Sequence, residues 1–256
     1  METGHSVPGA AGPAAARAMR ATRAGAVNAD AAHADDFHFQ PPSLHERHGR
    51  ARKTSWNGVK PVGGPLKRVF DIAAATGALT VLSPALLLIW ALVRIESRGP
   101  GLFRQRRGGF QGRPFYIYKF RTMTTRESRT ITQAKQDDSR VTRLGRFLRR
   151  YSIDELPQLI NVLLGDMSII GPRPHALAHD RKFLTLDRRY AGRHHARPGI
   201  TGLAQVSGAR GLTDTNEKIL QRMEYDLAYV AKWSWVMDFS IILRTVAVVL
   251  RDRDAF

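Results

Sequence analysis

Two adjacent acids and a run of arginines are the residues in this chain whose types and spacing suit chemistry best. The acids are Asp154 and Glu155, and four arginines precede them closely: Arg143, Arg146, Arg149 and Arg150. Downstream, the segment Gly171-Pro172-Arg173-Pro174 holds one guanidinium between two prolines, which restrict the backbone. A basic pocket with two acids at its floor suits a substrate that carries phosphates together with a divalent metal.

The simplest alternative is that the acids only begin a helix. Ser152 and Glu155 have the S-x-x-E spacing of a capping box, and the helix dipole favours acids in a first turn. Pro157, however, would cost a helix begun at Ser152 an internal hydrogen bond, so we expect the helix to start nearer Asp154, within a constrained turn. The basic neighbours would keep both carboxylates ionised at neutral pH. An ionised Asp154 could then attack phosphorus, and Glu155 could hold the metal.

Other basic residues are candidate phosphate ligands. Lys119 and Arg121 fall on alternate positions of a predicted strand and would share one face, although a solvated strand face is an equally ordinary explanation. Arg197 opens a Pro-Gly turn whose exposed backbone amides would suit an anion. Arg210 is a further candidate in the segment that follows.

Composition separates the chain into two parts. Residues 1–60 are rich in Ala, Gly, Pro, His and Arg and show no sustained hydrophobic period, so we expect a disordered tail, followed by one domain over 61–256. The formal charge of +18 admits nucleic acid, an anionic membrane surface or phosphorylated ligands as partners. The chain has no cysteine, which excludes disulfides and thiolate metal sites and fits the cytoplasmic side.

A membrane segment is predicted over residues 72–93, where 22 residues pass without a charge. A single transmembrane span is the plain interpretation. Ser83-Pro84 lies at its middle, where proline removes a backbone hydrogen bond, and both flanks are basic, so each end prefers the cytoplasm. A re-entrant helical hairpin broken at Ser83-Pro84 satisfies both features, and a buried soluble helix is the remaining alternative.

Flanking elements complete the expected fold. The glycines and the alternating apolar residues of 102–123 predict a short β-hairpin, with its turn near Gly108-Gly109 or Gly112-Arg113. The C-terminal segment 217–250 has helical periodicity interrupted by Asp238 and Arg244, and Trp233 and Trp235 lie beside Lys232. We therefore expect amphipathic helices lying along a membrane surface, with core packing as a nearly equal alternative.

Three segments resemble the bacterial sugar transferases, the monotopic phosphoglycosyl transferases. They are KFRTM (119–123), RLGRFLRRYSIDELPQLINVLLGDMSIIGPRP (143–174) and RPGITGLAQVSG (197–208), and the likeness extends from about Lys67 to the C-terminus. Shorter segments resemble most closely the undecaprenyl-phosphate glucose phosphotransferases. Leu203 stands where members of the family often have tryptophan.

The resemblance implies a fold and a reaction. The fold would be α+β and mostly helical: a membrane-embedded re-entrant hairpin attached to a compact cytoplasmic catalytic domain. The reaction would transfer a sugar-1-phosphate, with glucose favoured, from a UDP-sugar to undecaprenyl phosphate through a phosphosugar bound covalently to Asp154. It implies Mg²⁺ held by Glu155, and charge neutralisation by the phosphate ligands Lys119, Arg121, Arg149, Arg173, Arg197 and Arg210.

The expected partners are therefore the UDP-sugar, undecaprenyl phosphate and membrane lipid, at the cytoplasmic face of a bacterial inner membrane. Galactose or an N-acetylated sugar stays open as the transferred group, as do the oligomeric state, with a homodimer as one option, and the polysaccharide served. A nucleic-acid-binding protein or a non-catalytic membrane-tethered protein would explain the charge. Neither explains an Asp-Glu pair among arginines, and nucleic acid leaves the uncharged segment without a role. We therefore expect no nucleic-acid partner.

Overall fold

The computed structural model describes residues 60–124, 138–211 and 213–251. The predicted tail lies outside these residues except for Lys60, and so do residues 125–137. Within the described residues the chain forms seven α-helices, four short strands and three 3₁₀ turns, which confirms a mostly helical α+β fold.

The first helix, α1 (Gly64–Glu96), is longer than the uncharged segment that predicted it. Its 33 residues include Pro84, and helical structure continues through this proline. Ser83 Oγ donates to the Thr80 carbonyl oxygen at 2.9 Å, a local bond of the kind that helps a helix accommodate a missing backbone donor. The structure therefore does not show the predicted interruption at Ser83-Pro84, and the re-entrant hairpin is not seen as two separate helices.

The surface of α1 is suited to lipid. Among the described residues it is the one helix long and apolar enough to cross a membrane, judged by length and composition alone. Its middle exposes large apolar side chains, for instance Val81, Leu87 and Leu88. Only its ends bury residues against the rest of the chain, so membrane association follows from the exposed apolar middle.

The predicted β-hairpin is confirmed. Strands β1 (Leu102–Gly108) and β2 (Pro114–Phe120) pair antiparallel from Leu102 opposite Phe120 to Gly108 opposite Pro114, with a 3₁₀ turn (Phe110–Gly112) between them. Phe115 and Ile117 of β2 are buried in a cluster with Ala75 of α1. The hairpin and the first half of α1 thus share one core.

The central segment is made of short elements. Helix α2 (Arg143–Arg150), a 3₁₀ turn (Ile153–Glu155) and helix α3 (Gln158–Leu164) lead into strand β3 (Ser168–Ile170). Strand β3 pairs in parallel with β4 (Gly199–Thr201). Between them lie α4 (Leu177–Leu186) and a 3₁₀ segment (Arg188–His195). A Cβ on Gly199 would lie 2.1 Å from the amide nitrogen of Gly171, so this crossing of two loops requires glycine.

The C-terminal part consists of α5 (Leu203–Val206), α6 (Asn216–Lys232) and α7 (Trp235–Arg251). Tyr229 of α6 and Ile241 of α7 are buried with Ile170 of β3 in a second cluster. Helix α7 leaves one stripe of large apolar side chains exposed: Val236, Phe239, Leu243, Val246 and Leu250. Core packing is therefore confirmed for one face of this segment, and the exposed apolar stripe leaves placement along a membrane surface as a prediction.

Candidate active site

The turn that carries the two acids is not a simple helix start. Ser152 has φ 56°, a left-handed conformation that is uncommon for a residue with a Cβ, and its side chain makes no capping bond to the turn. The capping box, which was the simplest alternative, is therefore absent. Asp154 and Glu155 lie in the 3₁₀ turn, and α3 begins only after Pro157, which agrees with a constrained turn around Asp154.

Glu155 is held by two cations from distant parts of the chain. Lys119 Nζ, near the end of β2, lies 2.6 Å from Glu155 Oε1. Arg173 donates through both terminal nitrogens, at 2.9 Å to Oε2 and 2.5 Å to Oε1. Although burial acts in the opposite direction, Arg173 and Lys119 lower the pKa of Glu155 well below its usual value. Glu155 is thus ionised and fixed in orientation.

Asp154 differs from its neighbour although they share one turn. Its side chain is buried, with 7% of the residue exposed. Burial raises the pKa of Asp154 to about 6, and the nearby charge of Glu155 adds to this, while Lys119, Arg149 and Arg173 act against it. The sequence predicted that neighbouring cations would stabilise the Asp154 carboxylate. In the structure, the effect of burial on its pKa is larger than the opposing effect of these cations. Asp154 is still mostly ionised at neutral pH, because its pKa stays below 7.

Two further predicted ligands lie at this turn. Arg149 donates through Nε to Thr122 Oγ1 at 2.9 Å, and its charge acts on Asp154. Arg210 donates to Ser152 Oγ, so the segment after α5 reaches the same turn. The structure therefore brings Lys119, Arg149, Arg173 and Arg210 together around the acids.

Arg121 and Arg197 lie elsewhere. Arg121 is buried and donates to the carbonyl oxygens of Val93, at 3.2 Å, and Ser97, at 2.5 Å. It therefore closes the C-terminal end of α1 and does not share a face with Lys119, since the strand has ended before it. Arg197 donates to the Gly165 carbonyl at 3.0 Å, next to the end of α3. Neither position supports a role at the carboxylates.

The sequence analysis missed Arg107 as a site residue. Arg107 pairs opposite Phe115 in the hairpin, and its guanidinium donates to the Pro174 carbonyl at 3.3 Å. Burial lowers the pKa of Arg107 to about 10, with a further contribution from the charge of Arg173. The hairpin register puts Arg107 on the same face as Lys119, so this register was the signal that could have found it.

A buried polar network behind the Pro-Arg-Pro segment was also missed. His175, Tyr190 and Arg193 meet there with Asp180 and Asp226. Burial lowers the pKa of His175 well below its usual value, and the charge of Arg193 adds to this effect, so the ring is neutral at physiological pH. No spacing in the sequence links these residues, because Arg193 and Asp226 are 33 positions apart.

Asp154 and Glu155 are the residues at this turn that could hold Mg²⁺ arriving with a diphosphate. The described residues contain no group of three or more Asp, Glu, His or Cys side chains suited to a metal ion. Magnesium is commonly bound by one or two carboxylates together with substrate phosphates, and Asp154 and Glu155 supply such oxygens on one turn. Glu155 already accepts hydrogen bonds from two cations, so an incoming metal would have to share it with them.

Comparison with known proteins settles the family. The model of the bacterial sugar transferase family matches residues 62–252, which is most of the chain and all of the site. The chain belongs to the bacterial sugar transferase family.

Individual relatives agree with this assignment. A UDP-glucose:undecaprenyl-phosphate glucose-1-phosphate transferase of Caulobacter vibrioides is 51% identical over 203 residues, covering 76% of each chain. A protein of the same name from Escherichia coli is 51% identical over 182 residues, which are 71% of this chain and only 39% of the relative. A UDP-N-acetylgalactosamine-undecaprenyl-phosphate N-acetylgalactosaminephosphotransferase of Aeromonas hydrophila is 42% identical over 193 residues, which are 74% of this chain and 45% of the relative. These names confirm the prediction that the sugar transferase is an enzyme of the phosphoglycosyl transferase class.

Proposed function

We propose that the enzyme transfers glucose-1-phosphate from UDP-glucose to undecaprenyl phosphate and releases UMP. The observation that carries the proposal is the pairing at one turn of a buried, ionisable Asp154 with a Glu155 fixed by Lys119 and Arg173. The names of relatives about half identical to this chain supply the donor and the acceptor. The name of the Aeromonas relative specifies an N-acetylated sugar, which makes such a sugar the alternative donor to test.

Two displacements at one phosphorus account for the transfer. An Asp154 oxygen attacks the phosphorus that bears the sugar, the bond from this phosphorus to the UMP oxygen breaks, and UMP leaves. An oxygen of undecaprenyl phosphate then attacks the same phosphorus, the acyl-phosphate bond breaks, and the Asp154 carboxylate is regenerated. Neither step needs a proton to be removed from the enzyme, since Asp154 is mostly ionised at neutral pH.

The basic residues stabilise charge on the phosphates. Lys119, Arg149 and Arg173 lie nearest the acids, so their charges can be shared with the equatorial oxygens of the transferred group. Arg210 bonds to the same turn and is a further candidate. Mg²⁺, when bound with the donor, would draw charge from the diphosphate, and Glu155 is the residue placed to hold it.

We further propose that α1 enters the membrane and returns to the cytoplasmic face. Near its start, Lys67 forms a buried ion pair with Asp238 of α7 at 2.6 Å. At its end, Glu96 Oε1 accepts from the Leu144 amide at 2.9 Å. A straight helix of 33 residues would extend about 50 Å, and a transmembrane span would put its ends on opposite faces. Attachment of both ends to the same catalytic domain supports re-entry at the inner membrane, with Ser83-Pro84 at the turning point.

Single cysteines test this topology cleanly, because the chain has none of its own. The variants Lys60→Cys and Arg98→Cys place a thiol before and after α1. In intact cells, a membrane-impermeant maleimide should label neither, and in inverted membrane vesicles it should label both. Labelling of the two positions from opposite faces would establish a transmembrane span instead.

The activity is tested with purified enzyme in detergent or nanodiscs, labelled UDP-sugars, Mg²⁺ and polyprenyl phosphate. We expect UMP release, a labelled lipid product and, without the lipid, a labelled protein adduct. A donor panel of UDP-glucose, UDP-galactose and UDP-N-acetylgalactosamine decides the sugar. A basic, non-catalytic tether would yield no product with any donor, and release of UMP without a protein adduct would argue against the covalent route.

A further inference from the structure

The guanidinium of Arg193 lies beneath the segment that carries Arg173. Arg193 is 3% exposed and rests on Asp226 of α6, with Nε at 3.0 Å and a terminal nitrogen at 2.8 Å from the same carboxylate oxygen. Its second terminal nitrogen lies 3.0 Å from the Tyr190 hydroxyl and 3.1 Å from His175 Nδ1. The terminal nitrogen that faces Asp226 also donates to the backbone carbonyl oxygen of Arg173 itself.

This arrangement uses the whole fork of the guanidinium. Its nitrogens face four atoms: one Asp226 oxygen, which two of them share, the Tyr190 hydroxyl, His175 Nδ1 and the Arg173 carbonyl oxygen. A lysine has three donors on one nitrogen and cannot reproduce the planar fork. A buried ion pair is weak evidence for stability, because apolar residues of similar volume often serve equally well. The geometry here is more specific than packing requires.

The bond to the Arg173 carbonyl connects this network to the acids. The same residue that accepts from Arg193 through its backbone donates through its side chain to both oxygens of Glu155. His175, two residues further on, is held by the same guanidinium. The segment that carries Arg173 is therefore linked to α6 through Arg193.

Helix α6 supports a second arginine of the site in a similar way. Arg222 of α6 donates to the carbonyl oxygens of Ala209 at 3.0 Å and Gly211 at 2.6 Å, on either side of Arg210. Arg210 in turn donates to Ser152, beside the turn that carries the two acids. One buried face of α6 thus holds two loops that bring arginines to the same turn.

We propose that Arg193 is a positioning residue, which fixes the backbone of Arg173 on α6 so that the Arg173 guanidinium meets Glu155. Arg193 acts only through Arg173 and does not contact substrate, because it is enclosed by the protein. The inference rests on the proposed function for its kinetic consequences. Its structural content, the fixing of residues 171–176, does not depend on the reaction.

The main test is a double-substitution cycle. Arg193→Lys keeps the charge and most of the volume, and should lower kcat/KM by about 10- to 100-fold, as loss of an outer-shell contact typically does. Arg173→Gln should cost more. The double variant should be no slower than Arg173→Gln alone, within about threefold, because the two residues act as one unit. If the loss of kcat/KM in the double variant equals the product of the two single losses, Arg193 acts independently of Arg173 and the proposal is overturned.

Two controls separate positioning from general destabilisation. Arg189→Gln removes an exposed arginine of the same 3₁₀ segment, whose ion pairs are to Asp187 and Glu224, and should leave kcat/KM within about twofold of wild type. Asp226→Asn weakens the interaction that holds Arg193 and leaves Arg193 itself in place. This variant replaces Arg193→Lys in the experiment if Arg193→Lys does not fold.

Hydrogen exchange supplies a readout that does not depend on activity. Peptides covering residues 171–176 should exchange faster in the Arg193→Lys protein, and not in the Arg189→Gln protein. Unchanged exchange there, or full activity in a folded Arg193→Lys protein, would contradict the inference. If the wild-type protein transfers no sugar phosphate, the proposed function fails, and exchange alone still decides whether Arg193 fixes the loop.

Discussion

The turn that carries Asp154 and Glu155 excludes water from charged groups, whereas the middle of α1 exposes apolar side chains. Around the turn, charged groups are withdrawn from water: Asp154 is buried, and Lys119 and Arg173 are largely enclosed with Glu155. Along α1, large apolar side chains are left outside, with Leu87 68% exposed and Val81 77% exposed. In a water-soluble domain both features would cost free energy. The buried charges would cost desolvation energy, and the apolar side chains would expose apolar area to water.

Under the proposed function, this difference corresponds to two substrates of different solubility. An anionic, water-soluble sugar nucleotide needs an enclosed basic site, whereas a polyprenyl phosphate has to be met at the edge of the lipid. The two ends of α1 are bonded to the catalytic domain, so the apolar helix and the charged turn are parts of one body. Substitutions at the turn should therefore reduce the rate of reaction, and substitutions on α1 should reduce membrane binding.

The largest effect is expected at Asp154. Asp154→Asn keeps the shape of the side chain and removes the carboxylate proposed as the nucleophile, so turnover should fall at least about 10³-fold and the labelled adduct should disappear. Binding to membranes should be unaffected. Intact-protein mass spectrometry after incubation with UDP-glucose detects the adduct, and UMP release measures turnover. Quantitative UMP release by this variant would remove Asp154 from the role of nucleophile.

A somewhat smaller loss is expected at Glu155. Glu155→Gln removes the charge that Lys119 and Arg173 hold and that a metal would share, so kcat should fall about 10²- to 10³-fold. The Mg²⁺ concentration needed for half-maximal rate should rise at the same time. Titration of Mg²⁺ at saturating donor separates the two effects. A lower rate with an unchanged Mg²⁺ requirement would show that Glu155 orients the cations and does not hold the metal.

A charge introduced on α1 should impair membrane binding and not the chemistry at the turn. A lysine at the centre of a membrane segment costs about 2.5–3.5 kcal/mol, so Leu87→Lys should weaken membrane partitioning by about 100-fold. The donor half of the reaction, measured as adduct formation in detergent, should persist. Leu186→Lys on α4, also an exposed leucine, is the matched control and should partition like wild type. Equal partitioning of the two variants would mean that α1 is not inserted in lipid.

Much of this site could be predicted from local sequence. Residue alternation and glycines predicted the β-hairpin, and the position of Pro157 predicted that the helix does not begin at Ser152. Lys119, Arg149 and Arg173 lie in segments that resemble the family's motifs, and the structure brings all three to the acids. In each case the prediction depends on residues close together in the sequence or on a motif of the family.

Long-range geometry accounts for what could not be predicted. The place where α1 ends decides the partners of Arg121, and no pattern near Arg121 indicates that place. The pairing of Arg193 with Asp226 depends on how α6 packs. The direction of the Asp154 pKa depends on burial, which a count of nearby arginines does not contain. Charge can be read from sequence, but the solvent around it is a property of the fold.

The rate should depend on pH through Asp154 and not through Glu155. Because burial raises the pKa of Asp154 to about 6, kcat/KM should be half-maximal near pH 6 and fall about tenfold for each unit below it. Glu155 stays ionised over this range, since its pKa is well below its usual value. The measurement is a pH profile from 5 to 8.5 in a constant ionic-strength buffer. A profile that is flat down to pH 5 would mean that Asp154 is more solvated than the structure shows.

The smallest effect concerns stability. The pKa of Asp154 is higher in the folded than in the unfolded protein, so between the two values the folded state binds more protons and stability falls as pH rises. Above pH 6 the ionised, buried carboxylate costs free energy that Asn does not. Asp154→Asn should therefore raise Tm by a few degrees at pH 8, and this gain should shrink as pH falls through 6 towards 4. Thermal unfolding of both proteins in one detergent measures it, with Asp187→Asn as the control, because hydrogen bonds from Arg189 lower the pKa of Asp187 although burial acts in the opposite direction. A Tm for Asp154→Asn below that of wild type at pH 8 would show that the surrounding cations, and not burial, determine the energy of this carboxylate.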